Sequence, residues 1–479
     1  MAAAESPPGG TGVAAAEQTT LDFSGVRAEL GLPTGYPDAA LAEVKQRLGR
    51  PLTGNYWDAA DLPLVTIDPP GAKDLDQAVL VRRRRRGYRV HYAIADVAAF
   101  IAPGGVLDAE SRRRGQTIYL PDGQVPLHPP LLAEDAASLL PGKVRPAVLW
   151  TFDLDSDGVP VRVDLTRALV RSVAQLDYAT VQRSLQLRMP HPSVELLPEV
   201  GRLRRAQALR RGAIELGLPE QQVEPDGKGG WRLTLRPRLV IETWNAEVSL
   251  LTGMCAAEMM VSAGIGVLRT VPAPEPETVD RLRKSANRIG VHWPEEIPPA
   301  AVLAGLDPVR PEALAVHAAA TRLLRGAGYT AFGDGAPANT AHAGIGASYA
   351  HVTAPLRRLV DRYCTEVCLA ISAGREVPSW VTETLAELPS LMGNSDRVAS
   401  QAERACIAQT QAWSLAGRVG EVFPATVLRA ANGEAGEIFI ADPPVIARCT
   451  GEGLGEGQRT RVRLVEADPT RREVSFEVV

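Results

Sequence analysis

The amino-acid sequence predicts a mixed α/β domain that follows a short helical segment and precedes a small all-β barrel. Three observations support this fold class. The chain has 479 residues, which is more than one core needs, so two or three domains are expected. Strand-like alternation over residues 64–165 gives way to helical periodicity as far as residue 416. From residue 417 onward the pattern changes again, to short alternating strands with glycine turns.

The first 60 residues predict a tail and a helical segment. Residues 1–20 are mostly Ala, Gly, Pro and Thr, without a basic start or an apolar core, which is typical of a flexible tail and not of a secretory signal. Residues 21–60 predict a short helical N-terminal segment, with two helices over 21–48 separated by Gly-Leu-Pro and Gly-Tyr-Pro. This segment is either a reduced helix-turn-helix-like module or a cap.

The composition narrows the class of protein. With 45% hydrophobic and 23% charged residues, and no apolar run of membrane-spanning length, an ordinary soluble protein without a membrane partner is expected. A net charge of −4 argues against a protein that coats DNA, but it is compatible with an enzyme whose basic channel lies inside an acidic shell. The five scattered cysteines form no C-x-x-C pair, which favours free thiols in a reducing cytoplasm. No dimerisation device is evident, so a monomer is expected.

The periodicity of the central part of the chain, with its Gly and Pro residues, predicts a hairpin followed by several helices. The run Arg82–Arg86 lies between two alternating stretches and ends at Gly87, which predicts the exposed tip of a hairpin. Further along, the pattern predicts helices over 174–217, a buried apolar helix over Trp244–Gly264, Pro-punctuated helices over 272–335, a helix from Pro355 to about Ala373, and a polar helical connector over 384–416.

Residues 417–479 predict a closed barrel. Five short strands within so short a segment match the size of an oligonucleotide-binding (OB) barrel. The predicted strands are Glu421–Leu428, Gly436–Ile440, Val445–Cys449, Arg459–Val465 and Val474–Val478.

The most informative segment carries three carboxylates. An apolar strand ends at Asp68, a Pro-Pro-Gly turn follows, and Asp74 and Asp76 lie two residues apart, on the same side of an extended segment. Carboxylates that converge repel one another unless a cation lies between them, and hard oxygen ligands favour Mg²⁺, with Mn²⁺ as an alternative. The other interpretation is an exposed acidic turn, because Asp is a common turn residue.

Several motifs, in this order, resemble the catalytic domain of the RNase II (RNB) family. The resemblance covers residues from about 60 to 479, with the RNB catalytic domain expected over 61–410. The motifs are Ile67-Asp68, Ala72-Lys73-Asp74-Leu75-Asp76, Ile94-Ala95-Asp96-Val97, Tyr119-Leu120-Pro121, Leu139-Leu140-Pro141-Gly142 and Tyr349-Ala-His-Val-Thr-Ala-Pro-Leu-Arg-Arg358.

The resemblance implies processive, sequence-independent hydrolysis of RNA from its 3′ end to nucleoside 5′-monophosphates. Asp68, Asp74 and Asp76 match the family's metal-binding aspartates, and Asp74 and Asp76 would take part in catalysis. The family has a fourth Asp where this chain has Gln77, whose amide oxygen can still coordinate a metal but brings no charge. The alternative function is therefore a catalytically weakened RNA-binding protein with the same fold.

Thr353-Ala-Pro-Leu-Arg-Arg358 predicts a helix start followed by two arginines, which is a suitable site for a phosphate. By resemblance, Arg357 is the catalytic arginine that holds the phosphate near the scissile bond, with Arg358 as the second choice. The competing interpretation is a salt bridge between Arg357 and Asp361.

The resemblance also implies contacts with RNA. Tyr119 would stack on a base, but the aromatic that packs opposite it in the family is replaced here by Leu216. Tyr178 and Glu247 match positions near the ribose, and a core hydrogen bond is the alternative for both. Glu403 matches another acid near the substrate.

The two ends of the chain complete the resemblance. The C-terminal barrel is similar to an S1 RNA-binding domain, in which Phe423, Phe439 and Arg429 would face RNA, although both Phe could equally be core residues. The family usually has two cold-shock barrels before the catalytic domain, and the 60 residues available here are too few for them. The expected partners are single-stranded RNA and structured RNA with a 3′ overhang.

Overall fold

The fold was analysed in a computed structural model that describes residues 21–479 apart from 219, 228–229, 237, 308 and 432–433. The predicted tail, residues 1–20, lies outside the described residues. The helices are α1 (Ser24–Glu29), α2 (Asp38–Leu48), α3 (Val106–Arg114), α4 (Tyr178–Gln186), α5 (Leu197–Arg210), α6 (Val240–Ala263), α7 (Pro276–Arg288), α8 (Pro299–Ala304), α9 (Pro311–Ala320), α10 (Leu359–Ser372), α11 (Ser379–Leu385) and α12 (Leu388–Leu415).

The strands form two closed barrels and several two-stranded sheets. They are β1 (Trp57–Asp68), β2 (Gln77–Arg83), β3 (Tyr88–Ala95), β4 (Ile118–Leu120), β5 (Gly123–Val125), β6 (Val144–Leu154), β7 (Pro160–Asp177), β8 (Glu220–Pro225), β9 (Trp231–Arg236), β10 (Gly266–Thr270), β11 (Gly328–Phe332), β12 (Ala341–His342), β13 (Ala347–Ser348), β14 (Val422–Ala431), β15 (Ala435–Ala441), β16 (Pro444–Thr450), β17 (Arg459–Asp468) and β18 (Glu473–Val478). This mixture of helices and sheets, with an all-β barrel at the C-terminus, confirms the predicted fold class.

The first barrel has the strand order β1-β2-β3-β6-β7 and closes through a parallel β1–β7 pair. Alternate residues such as Val79 and Trp150 point into a shared apolar core, because successive side chains in a strand face opposite sides. The β2–β3 turn carries the exposed run Arg82–Arg86, as predicted. Gly87 ends this turn at φ +82°, and a Cβ there would lie 2.0 Å from the carbonyl oxygen of Leu154.

Helix α6 packs between α5 and α10 beside the first barrel. Among the described residues it is the one helix whose length and composition would suit a membrane span, contrary to the prediction that no such run exists. Half of its most apolar window is buried inside the protein, as in many core helices. Buried Cys255 on α6 lies in the same core as Cys364 and Cys368 on α10, and all five described cysteines are free.

The C-terminal barrel has the strand order β14-β15-β16-β18-β17, and its strands lie where the sequence predicted them. Phe423 packs against Phe476 in its core, with 5.9 Å between the ring centroids, so the core interpretation of Phe423 holds. Arg429 donates hydrogen bonds to the Ala318 carbonyl oxygen at 2.7 Å and to the Thr321 hydroxyl at 3.1 Å. It therefore joins the barrel to the end of α9.

An apolar seam reinforces this junction. Leu428 of the barrel packs with Leu314 and Ala318 of α9, and Phe439 packs at its edge. The Gln221 amide of β8 also donates to the Pro444 carbonyl oxygen at 2.6 Å. The barrel is consequently docked against both α9 and the β8–β9 hairpin.

The N-terminal segment forms the two predicted helices and packs on its own chain. Phe23 contacts Trp231 edge to face with 5.5 Å between centroids, and the Trp231 indole donates to the Leu21 carbonyl oxygen. Arg27 forms a two-bond ion pair with Asp122 beside the β4–β5 hairpin. The segment therefore packs against the β8–β9 and β4–β5 hairpins, and its role as a cap or as a helix-turn-helix-like module stays a prediction.

Candidate active site

A deep cleft of about 1740 Å³ lies between the first barrel, the β8–β9 hairpin, α9 and the C-terminal barrel. Small-molecule sites usually measure roughly 300–1,000 Å³. The cleft is larger than that and open to solvent, so its size suits several residues of a polymer. Asp68, Asp74 and Asp76 all line it.

The strand and turn that precede β2 place the acidic residues. Asp68 ends β1 and Asp76 directly precedes β2, so the barrel fixes both ends of the intervening turn. Asp76 is only 4% exposed, and its Oδ1 accepts a 2.8 Å hydrogen bond from the Leu356 backbone N–H. The buried Oδ2 of Asp68 finds no hydrogen-bond partner among the described residues.

Burial makes the charged forms of two of these acids unfavourable. It raises the pKa of Asp76 to about 8 and that of Asp68 to about 6, and the nearby Arg357 opposes both shifts. A carboxylate that is desolvated and incompletely paired prefers to be protonated unless a cation compensates its charge. The orphaned oxygen of Asp68 and the buried charge of Asp76 therefore fit a bound divalent cation.

Within the described part of the chain, no three His, Cys, Asp or Glu side chains converge into a group able to hold a metal alone. The predicted ligands share the cleft without forming such a group. Mg²⁺ commonly takes only one or two protein carboxylates and completes its shell with water and substrate phosphate oxygens. The carboxylates of the cleft therefore suit a cation that also binds phosphate oxygens of a substrate.

Gln77 also lines the cleft, but its amide is engaged elsewhere. Its Nε2 donates to the Thr353 carbonyl oxygen at 2.6 Å, and its Oε1 accepts from the Tyr92 hydroxyl at 3.1 Å. The first bond ties the start of β2 to the segment that carries Arg357, and the second ties it to β3.

The predicted helix start at Pro355 is wrong, because α10 begins at Leu359. The preceding segment is held in a turn by tertiary hydrogen bonds: the Leu359 N–H donates to the Gly115 carbonyl oxygen, and the Ala354 N–H donates to Asp361. Neither predicted phosphate-binding arginine therefore lies in the first turn of a helix.

The two arginines have different environments. Arg357 is half-exposed in the cleft, with its Nε 3.5 Å from Oδ2 of Asp76. Arg358 points away and donates two hydrogen bonds to Asp361, at 2.9 and 2.8 Å. The ion pair considered for Arg357 is thus formed by Arg358, and the prediction that Arg358 binds RNA is not supported.

Two of the other predicted RNA contacts lie in the cleft. Tyr119 is 52% exposed, and its hydroxyl donates to Asp74 at 3.3 Å. Tyr178 begins α4, and its hydroxyl accepts from the Asn245 amide at 3.4 Å. Leu216 lines the cleft as well, so an aliphatic side chain stands where the family contributes an aromatic.

The remaining two predicted contacts lie elsewhere. Glu247 is 3% exposed on α6 and faces Arg204 and Arg211, whereas the described cleft lining does not include it. Burial raises the pKa of Glu247. Glu403 is exposed on the outer side of α12, because Ala402 and Cys406 take the inward positions. Neither acid belongs to the described cleft lining, and contact of either with RNA stays a prediction.

Much of the cleft wall could not be predicted from sequence motifs. Basic residues reach it from the turn before β2, from the β8–β9 hairpin and from the C-terminal barrel: Lys73, Arg236, Arg238 and Arg459. Lys73 belongs to the predicted acidic segment, whereas Arg236, Arg238 and Arg459 share no motif, so only the tertiary structure brings them to the cleft.

Comparison with known proteins agrees with this architecture. Residues 57–371 match the model of the RNB domain, and residues 421–479 match that of the RNase II-type exonuclease C-terminal S1 domain. Ribonuclease R of Thermotoga maritima is 27% identical over 426 residues, which cover 84% of this chain and 59% of that protein. The chain therefore spans about three-fifths of the length of this relative.

Solved structures with the same fold include RNase R of Mycoplasma genitalium in its apo form, with a TM-score of 0.85 at 18% identity over 95% of this chain and 77% of that one. Its complex with double-stranded RNA gives 0.82 at 19% identity, over 95% and 82%. Yeast Ssd1, a pseudonuclease, gives 0.69 at 17% identity over 88% and 53%. At such identities these likenesses establish the fold alone.

Proposed function

The chain belongs to the RNB family, and from that premise we propose that it hydrolyses RNA from the 3′ end, processively and without sequence preference, to nucleoside 5′-monophosphates. One observation carries the proposal. Arg357 and the buried carboxylate of Asp76 lie 3.5 Å apart in a cleft that Asp68 and Asp74 also line. A cation at one side of a phosphate and a guanidinium at the other can neutralise the charge that develops during phosphodiester hydrolysis.

Each group has a distinct part in this proposal. Asp68, Asp74 and Asp76 would hold Mg²⁺ or Mn²⁺, which when bound polarises the phosphodiester and activates water. Arg357 donates hydrogen bonds to the scissile phosphate from its half-exposed position. Tyr119 offers an exposed ring on which a base of the RNA stacks.

The proposed substrates are single-stranded RNA and structured RNA with a 3′ overhang. The described cleft lining mixes basic and acidic side chains. The basic ones, Arg459 among them, would contact the phosphate backbone, which requires no base-specific contacts. Tyr178 beside Asp68 is placed to contact a ribose, where a 2′-hydroxyl distinguishes RNA from DNA. The double-stranded RNA complex of a protein with this fold supports the second substrate.

A second candidate function is RNA binding without turnover. Gln77 removes one acidic side chain from the site, and a pseudonuclease shares the fold. The retention of Asp74, Asp76 and Arg357 in one cleft favours the nuclease.

Incubation of the protein with 5′-labelled single-stranded RNA decides between the two candidates. We expect stepwise shortening from the 3′ end to a small limit product with Mg²⁺ or Mn²⁺, and none with a chelator. DNA of the same sequence should remain intact. Tight RNA binding without shortening at any metal concentration would exclude the nuclease and favour the second candidate.

Replacement of Tyr119 by alanine should weaken RNA binding, because base stacking on an aromatic contributes roughly 1–3 kcal/mol per base. Tyr119→Phe keeps the ring and should bind RNA nearly as well as the original protein. Fluorescence anisotropy with labelled RNA in the absence of metal measures both effects.

Trp57→Ala is the matched control, since Trp57 is equally exposed at 52% but lies outside the described cleft lining. Its RNA affinity should not change. Equal losses for Tyr119→Phe and Tyr119→Ala would show that the hydroxyl bond to Asp74, and not stacking, matters.

A further inference from the structure

We infer that Gln77 is a positioning residue and not a cation ligand, so that the cation of the proposed nuclease relies on Asp68, Asp74 and Asp76 together with water and substrate oxygens. The inference rests on the proposed function for the place of the cation. Gln77 is the residue at which this chain departs from the family pattern, and both polar atoms of its amide have hydrogen-bond partners.

Both polar ends of that amide are engaged on the protein side. Nε2 donates to the Thr353 carbonyl oxygen at 2.6 Å, and Oε1 accepts from Tyr92 at 3.1 Å. The Tyr92 side chain is itself fixed, since it is buried in the barrel core and its hydroxyl shares a 2.6 Å hydrogen bond with Ser249. The amide oxygen, the atom through which Gln77 would coordinate a cation, is therefore directed at the Tyr92 hydroxyl, and at most one of its two lone pairs is left for a cation.

Hydrogen bonds from two neighbouring residues hold the start of β2 in register with the segment before α10. Asp76 and Gln77 are neighbours at the start of β2, and they bond to Leu356 and Thr353 respectively. Two adjacent residues thus fix both ends of the short segment, Thr353 to Leu356, that leads to Arg357. The distance between the Arg357 guanidinium and the Asp76 carboxylate depends on these two hydrogen bonds.

An aspartate at position 77 could not form the same connection. A carboxylate has no hydrogen to donate to the Thr353 carbonyl oxygen, and its charge would be repelled by that oxygen. It would have to turn toward the cleft, where it adds negative charge and becomes available to a cation. Glutamine therefore replaces a ligand with a link between segments.

Mn²⁺ binding without RNA tests the inference, with electron paramagnetic resonance to measure the free ion. Gln77→Ala should bind Mn²⁺ within about threefold of the original affinity, whereas Asp74→Asn should lose at least the roughly tenfold typical even of outer-sphere partners. Gln77→Asp should bind Mn²⁺ more tightly or bind a further ion. A loss in Gln77→Ala as large as that in Asp74→Asn would overturn the inference.

The positioning role has its own readouts. Gln77→Ala leaves the Thr353 oxygen without the Gln77 amide and removes one of the two hydrogen bonds of the Tyr92 hydroxyl, so the melting temperature of the metal-free protein should fall by roughly 2–4 °C. Its kcat on RNA should fall while KM stays constant, because Arg357 acts on the scissile phosphate. Gln77→Glu, which keeps the acceptor but loses the donor, should show the same kcat defect.

A Gln77→Glu protein with the original kcat and melting temperature would refute the positioning role. Absence of turnover in the unmodified protein would be a failure of the proposed function only. The Mn²⁺ affinities would then still decide whether Gln77 is a ligand, because they require no RNA cleavage.

Discussion

Asp76→Asn should lower the rate of RNA shortening by roughly 10³-fold or more, while RNA binding persists. The variant keeps the oxygen that accepts from the Leu356 N–H, so the local geometry should survive. It removes the negative charge that faces Arg357 and that the proposed cation requires. Labelled-RNA digestion and binding measured side by side give the two parts of this result.

The same variant should be at least as stable as the original protein when metal is removed. Burial raises the pKa of Asp76 to about 8, so above the ordinary pKa of an aspartate the carboxyl destabilises the fold, fully so once the pH exceeds about 8. A neutral amide avoids this destabilisation, and the melting temperature in chelator at pH 8 should not fall. Asp164→Asn, at an exposed position on β7, serves as the control and should change neither activity nor stability.

Asp361→Ala should destabilise the protein by about 3 kcal/mol, because it leaves the guanidinium of Arg358, whose side chain is only 21% exposed, without its two hydrogen bonds. It also removes the acceptor of the Ala354 N–H.

Arg357→Ala should change stability little, since the Arg357 side chain is 46% exposed, but it should lower kcat by roughly 10²–10³-fold. Denaturant titration and single-turnover digestion separate the two.

This contrast tests the assignment of the neighbouring arginines. If Arg357→Ala unfolded the protein and Asp361→Ala did not, the roles given to Arg357 and Arg358 would have to be exchanged. Asp361→Asn offers a milder check, because the amide retains one acceptor for Arg358 and should lose less stability than alanine.

Much of the fold could be predicted because its signals are local. The strands of the C-terminal barrel and the β2–β3 hairpin show alternation and glycine turns within a few residues of each other. The start of α10 could not be predicted in this way. A bond from Leu359 to Gly115, far away in the chain, sets it and overrides the preference of Pro355 for the first turn of a helix.

The site divides along the same line. A short segment with three aspartates identified the acidic centre, since its residues are neighbours in sequence. Which side of a helix faces the cleft is a tertiary property, so the sequence could not show that Glu247 on α6 is buried and that Glu403 on α12 lies on its outer side. Arg459 and Arg236 reach the cleft only because the C-terminal barrel docks against the β8–β9 hairpin.

The seam between the C-terminal barrel and α9 has a practical consequence for dissecting this protein. Arg429 is bonded to the end of α9, and Leu428 is covered by Leu314. A truncation near residue 420 would uncover these apolar surfaces on both fragments and remove one side of the cleft. Loss of activity in such a fragment would therefore not distinguish damaged folding from a loss of RNA affinity. Single substitutions on the cleft face of the barrel, at Arg459 for example, are the informative alternative.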